Sequence, residues 1–199
     1  MKKIVLLFMC FFFLLGCQEK EYSLKNLEQR EGLSYLKGGE EPYTGQTIER
    51  LGKEIIAINV FEKGDQILGT TFYPNGNKEY EIQFKNGKEN GYWRQYFFNG
   101  QLDYETYKVD GIVNGMTKSY YEDGQLKSEK NYVDNKIIGD VLSYYESGQI
   151  KTKFDSLGNG FTYFEDGRVR SKIEKEKEVA FYNKKGEEVS YEEMKQEVE

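Results

Sequence analysis

Glycine recurs every 24 residues through the middle of this chain, and that interval constrains the fold more than any other feature. Gly52, Gly76, Gly100, Gly124 and Gly148 stand 24 residues apart, and Gly167 and Gly186 follow at intervals of 19. An aromatic pair precedes most of them: Phe72-Tyr73, Tyr96-Phe97, Tyr120-Tyr121, Tyr144-Tyr145 and Tyr163-Phe164. A second series, Gly91, Gly115 and Gly139, keeps the same step. A period of this size marks a repeat architecture, in which each unit is too small to bury its own apolar face and leans on its neighbours.

Each unit carries a hairpin signal. Asn75-Gly76, Asn99-Gly100, Asp123-Gly124 and Asp166-Gly167 are dipeptides favoured in two-residue type I′ turns, and Ser147-Gly148 is a weaker version. That turn sets a register. Phe97 would face Leu102, Tyr121 Leu126, Tyr145 Ile150 and Phe164 Val169, a row expected to form the core. On the other face Tyr96 would meet Asp103, Tyr120 Lys127, Tyr144 Lys151 and Tyr163 Arg170. Two steps further on that face come Arg94 with Glu105 and Lys118 with Glu129, each pair of opposite sign. Gly91, Gly115 and Gly139 read as return turns, where a need for φ > 0 is enough to explain them.

The expected fold is therefore all-β: an elongated antiparallel β-hairpin repeat array over residues 71–189. A divergent N-terminal repeat or cap precedes it at residues 35–70, where the pattern decays around Gly52. Thirty Tyr and Phe, 21 Gly and only 2 Pro suit strands and turns and lack the low-aromatic signature of disorder. Residues 190–199 open with Ser190-Tyr191-Glu192-Glu193, which has capping-box spacing, and are read as a short acidic helix or a charged tail.

What is missing limits the chemistry. The chain holds no His, which removes His-based acid–base catalysis, Ser-His and Cys-His pairs and most transition-metal sites. Its two cysteines, Cys10 and Cys17, leave nothing to form a disulfide in the folded part. Without the first 16 residues, 26 Lys and Arg stand against 34 Asp and Glu, a net charge of −8. An acidic chain without a basic cluster argues against nucleic acid. Glu105, Glu122, Asp123, Glu129, Asp134 and Glu146 fall at turns or opposite basic residues, so they read as solvated hairpin positions. No catalytic residue, cofactor or metal is expected.

The N-terminus has a different character. Lys2 and Lys3 precede an apolar run from Ile4 to Leu15, too short to span a bilayer, which needs ~20 residues, but suited to a signal peptide over residues 1–16. Leu14-Leu15-Gly16-Cys17 resembles the bacterial lipobox. That resemblance implies cleavage before Cys17, lipidation of its thiol by diacylglycerol and usually a third acyl chain, and durable attachment to a membrane of the bacterial envelope. Residues 17–34 are then read as a tether.

The recurring string of aromatic pair, Asn/Asp-Gly and a second strand ending in Tyr or Phe resembles the MORN-variant repeat, most clearly over residues 60–190. Tyr35-Leu36-Lys37-Gly38-Gly39-Glu40-Glu41-Pro42-Tyr43-Thr44-Gly45 resembles the opening unit of bacterial proteins built from such repeats. Those are commonly labelled YwqK-type antitoxins, and many are lipoproteins. The resemblance implies a β-hairpin rod with a non-catalytic binding role and a protein partner such as a toxin. MORN repeats also accompany phosphatidylinositol-phosphate kinases in plants. Here no Gly-rich phosphate loop and no catalytic Asp-plus-Asn loop is present, so no kinase is expected.

The candidate partner-binding residues are Phe72, Tyr96, Tyr120, Tyr144 and Tyr163, one per hairpin on one face, together with Trp93, the only Trp. Rigid aromatic rings with polar tips suit a contact surface. The plainer roles are packing across strands for the row and a local plug for Trp93. Two functions follow. One is occlusion of a target protein by an antitoxin or immunity factor. The other is an envelope scaffold or adhesin-like module that contacts lipid, glycan or cell wall through the row.

Overall fold

The computed structural model describes residues 21–174 and 177–196; the signal segment 1–16 and Cys17 lie outside them. A small hairpin comes first, β1 (Leu27–Arg30) with β2 (Leu33–Leu36). One long antiparallel sheet follows. It opens with β3 (Gly45–Leu51), β4 (Glu54–Glu62) and β5 (Asp65–Phe72). It continues through β6 (Lys78–Lys85), β7 (Lys88–Tyr96), β8 (Leu102–Val109), the two-residue β9 (Ile112–Val113) and β10 (Gly115–Tyr120). Then come β11 (Leu126–Val133), β12 (Lys136–Tyr144), β13 (Ile150–Phe154), β14 (Gly160–Tyr163), β15 (Val169–Glu174), β16 (Lys177–Tyr182) and β17 (Glu188–Val189). Strand order follows chain order throughout, with β9 a side partner of β8. The capping box forms: Ser190 Oγ accepts from the Glu193 N–H, the Glu193 carboxylate accepts from the Ser190 N–H, and α1 (Tyr191–Gln196) ends the chain's described part.

Strand interiors keep the expected register, with Arg94 opposite Glu105 and Lys118 opposite Glu129. The turns do not. At Asn99-Gly100 the Gly100 N–H donates to the Phe97 carbonyl at 2.8 Å and the Phe97 N–H to the Gln101 carbonyl at 2.8 Å. Only Gly100 has positive φ, at 89°. This is a three-residue loop with a glycine bulge, not a type I′ turn, and the same pair of bonds recurs around Gly76, Gly124, Gly148 and Gly167. The extra residue shifts the last pairs of each hairpin. Tyr96 faces Leu102 rather than Asp103, Tyr120 faces Leu126, Tyr144 faces Ile150 and Tyr163 faces Val169.

Type I′ geometry sits at the opposite edge. Lys63-Gly64, Asn86-Gly87 and Asp110-Gly111 have positive φ at both central residues, as do Glu31-Gly32 and Asp134-Asn135. Gly91, Gly115 and Gly139 are thus not turn residues but strand positions, with φ of 116°, 116° and 70°. At Gly91 a Cβ would lie 2.2 Å from Gln83 Oε1, the atom that accepts the Tyr92 N–H at 2.8 Å.

Two further expectations change. The tether ends earlier than residue 34: from Glu21 onward the chain is folded, strapped along β3 by a parallel bridge between Tyr22 and Thr47. The row Phe97, Tyr121, Tyr145 and Phe164 is half-buried rather than core, because a single-layer sheet has no second layer to cover it. Among the described residues the buried apolar side chains are Tyr43 and Phe61, with ring centres 5.7 Å apart, where β2 meets the Tyr43 segment and the β4–β5 turn at Gly64.

In place of a core, neighbouring units are joined by hydrogen bonds. The Tyr73 hydroxyl donates to the Tyr96 carbonyl at 2.8 Å, Tyr121 to Tyr144 at 2.6 Å and Tyr145 to Tyr163 at 2.7 Å. Asn75 and Asn99 side chains reach the Phe98 and Glu122 carbonyls of the next turn at 2.7 and 3.0 Å. Each bond gives a backbone carbonyl of one unit a side-chain donor from the unit before it.

Candidate functional site

Alternation along the strands sorts the side chains onto two faces of different chemistry. One face carries the Ser and Thr residues. Ser119, Ser128, Ser143, Thr152, Thr162 and Ser171 are successive cross-strand partners from β10 to β15. Their hydroxyls bond in pairs, Ser119 with Ser128 at 2.7 Å, Ser143 with Thr152 at 2.6 Å and Thr162 with Ser171 at 2.7 Å. Thr106 and Thr117, both 2 % exposed, pair at 2.7 Å beside them. Trp93 lies on this face, with ring centres 5.4 Å from Tyr80 and 5.8 Å from Tyr104. Its packing between two tyrosines, tilted on Tyr80 and edge-on to Tyr104, is a local role, and it is not part of the tyrosine row.

The other face carries that row. Phe72, Tyr96, Tyr120, Tyr144 and Tyr163 lie beside the three-residue loops, each half-buried. A ladder of alternating charge runs next to them: Glu81, Arg94, Glu105, Lys118 and Glu129 are successive cross-strand partners. Arg94 bonds to Glu81 at 3.2 Å and to Glu105 at 3.3 Å, and Lys78 also pairs with Glu81. Burial pushes the Glu81 carboxyl up, but the bonds and charges of Lys78 and Arg94 outweigh it and hold the group below its ordinary value.

The tyrosine tips are tied into this ladder. Tyr120 donates to Glu105 at 3.2 Å and Tyr144 to Glu129 at 2.7 Å. Burial, then the neighbouring carboxylates, push both phenols up to about 12. Tyr96 is raised by burial and by Glu81, with Lys78 Nζ 5.8 Å from its ring centre. Phe72 lines a groove with Ile55, Ile58 and Pro74 at the start of the row.

A third strip, which sequence reasoning missed, lies on the same face along the type I′ edge. Tyr92, Tyr107, Val109, Ile112, Met116 and Ile138 are each 37–45 % exposed. Tyr92 and Tyr107 meet edge to face at 5.3 Å, and Arg94 covers the Tyr92 ring at 4.3 Å. The signal was present in the repeat itself. Residues flanking the type I′ turns are Glu62 and Asp65, then Lys85 and Lys88, but at the third turn they are Val109 and Ile112. Apolar side chains have replaced charges at the middle of the array, and only there on both sides of one of these turns. Among the described residues no three acidic side chains gather into a metal site.

Comparison with known families agrees with the hairpin unit. Residues 67–86, 89–107, 113–134 and 138–155 match the family profile described as MORN repeat variant. Each matched segment spans one hairpin with its three-residue loop near the middle: β5–β6, β7–β8, β10–β11 and β12–β13. No curated protein sequence matches the chain.

Proposed function

We propose that this chain is a membrane-anchored bacterial lipoprotein whose tyrosine face binds another protein, in the manner of an antitoxin or immunity factor. The MORN-variant match supports a repeat-based binding module. The single observation that carries the binding surface is the apolar interruption of the type I′ edge, where Tyr107, Val109, Ile112 and Met116 stand exposed. Beside it Arg94 is paired with Glu81 and Glu105 within the sheet, so a partner covering this part of the face meets little uncompensated charge. Occlusion is the mechanism: a preformed, rigid face covers the target's functional surface, with no chemical step. Engagement of the Tyr120 and Tyr144 hydroxyls by Glu105 and Glu129 makes glycan contact through the row the weaker reading. Anchoring rests on Leu14-Leu15-Gly16-Cys17.

The test is crosslinked capture from the native envelope, with Tyr107→Asp/Met116→Asp as the control. Both residues are exposed, so the fold should persist while a stoichiometric protein partner is lost. Capture of the same partner by the variant would remove this surface from the proposal. The antitoxin part expects a neighbouring gene whose product is toxic only when this chain is absent. Cys17→Ala should release the protein from membranes; retention there would end the lipobox reading.

A further inference from the structure

We propose that the strapped N-terminal end of the sheet lies against a phospholipid surface, so that the array projects outward with its β16–β17 end farthest from the membrane. This rests on the reading of Cys17 as the lipidated residue.

The chain is tied down almost as soon as it leaves that cysteine. The Glu21 carboxylate accepts from Arg50 at 2.8 and 3.0 Å, and the Tyr22 carbonyl accepts from the Ile48 N–H at 2.7 Å. Ser23 and the Leu24 N–H both donate to Glu49, at 3.1 and 2.5 Å. Four peptide steps separate Cys17 from Glu21, at most about 14 Å of extended chain. Acyl chains seated in a bilayer at Cys17 therefore hold the outer side of β3 within about that distance of the headgroups. The sheet path from β3 to β17 contains 14 strands, which places its far end up to about 60 Å away at ordinary strand spacing.

The side chains at this end suit a headgroup layer. Leu51, at the end of β3, is 71 % exposed and Leu24, in the strap, is 45 % exposed. Lys25 follows Leu24 directly and Lys53 stands two residues after Leu51, both exposed. Apolar side chains next to amines fit the boundary between acyl chains and phosphates. Two acids at this end are engaged, Glu21 by Arg50 and Glu49 by Ser23 and the Leu24 N–H, which partly offsets their charge, while Glu54 stands exposed beside Lys53.

The experiment uses the full-length protein, processed in its host and purified from the membrane. It is reconstituted into phosphatidylcholine vesicles that carry acceptor-labelled headgroups. A donor dye is attached at Lys53→Cys in one sample and at Lys185→Cys in another; both positions are exposed, and Cys17 is blocked by its lipid. Energy transfer severalfold stronger from position 53 than from position 185 is the expected result. Equal transfer from the two positions in lipidated protein overturns the orientation and leaves the anchor standing. A free Cys17 thiol by intact mass overturns the anchor, and the orientation with it.

Discussion

At the residue scale, a hydroxyl decides how well one unit holds the next. Tyr73, Tyr121 and Tyr145 each donate forward to a carbonyl of the following unit, but the same position in the second unit is Phe97. Phe97→Tyr should supply the absent bond to the Tyr120 carbonyl and raise stability by about 1 kcal/mol in a urea melt. Tyr121→Phe should cost a similar amount. An unchanged midpoint for both would mean that these bonds merely replace bonds to water. The raised phenols give a pH expectation. Tyr120 and Tyr144 keep their protons up to about 12, whereas an unfolded tyrosine loses its own near 10.0. Below the unfolded value their contribution is fully present, and it is lost as pH rises from about 10 to about 12. Absorbance titration of the folded protein should show Tyr120 and Tyr144 among the late-ionising phenols, and Glu129→Gln should bring Tyr144 earlier.

At the element scale, the sheet is held by polar pairs where a two-layer protein would use a core. Thr106 and Thr117 are both buried, and their hydroxyls bond to each other at 2.7 Å. Thr117→Val alone strands the Thr106 hydroxyl and should cost about 1–3 kcal/mol. The double variant Thr106→Val/Thr117→Val removes both polar groups at constant shape and should recover most of that loss. Additive losses in a denaturant series would show that the pair contributes nothing as a pair. The Ser and Thr row was readable in part, since Ser119 and Ser128, Ser143 and Thr152, and Thr162 and Ser171 are each nine residues apart. Small polar side chains carry no hydrophobic period, so the usual pattern search passes over them.

At the scale of the whole molecule, strands pack on their sequence neighbours and stability is close to one-dimensional. Deletion of residues 101–124 joins Gly100 to Gln125 and removes one full unit in phase. The product should keep its β-sheet circular dichroism and lose only part of its stability. Deletion of residues 101–112 breaks the phase of turns and faces and should not fold cooperatively. Removal of the strap at residues 21–26 bares the outer edge of β3, and self-association in sedimentation is the expected consequence.

Sequence alone determined the period, the hairpin unit, the register inside the strands and the capping-box spacing at the C-terminus; the structure decided for a helix there over a charged tail. All of these rest on local chemistry repeated at fixed spacing: two-residue alternation, turn glycines and a Ser190–Glu193 box. Tertiary structure decided what depends on the neighbouring unit. Asn99 accepts from the Gln101 N–H with its side-chain oxygen and donates to the Glu122 carbonyl of the next turn, and both bonds accompany a loop with positive φ only at Gly100. That choice moved the partners of Tyr96 and its equivalents by one residue. The strap is of the same kind, because Tyr22 and Thr47 are 25 residues apart in sequence and only docking brings them together.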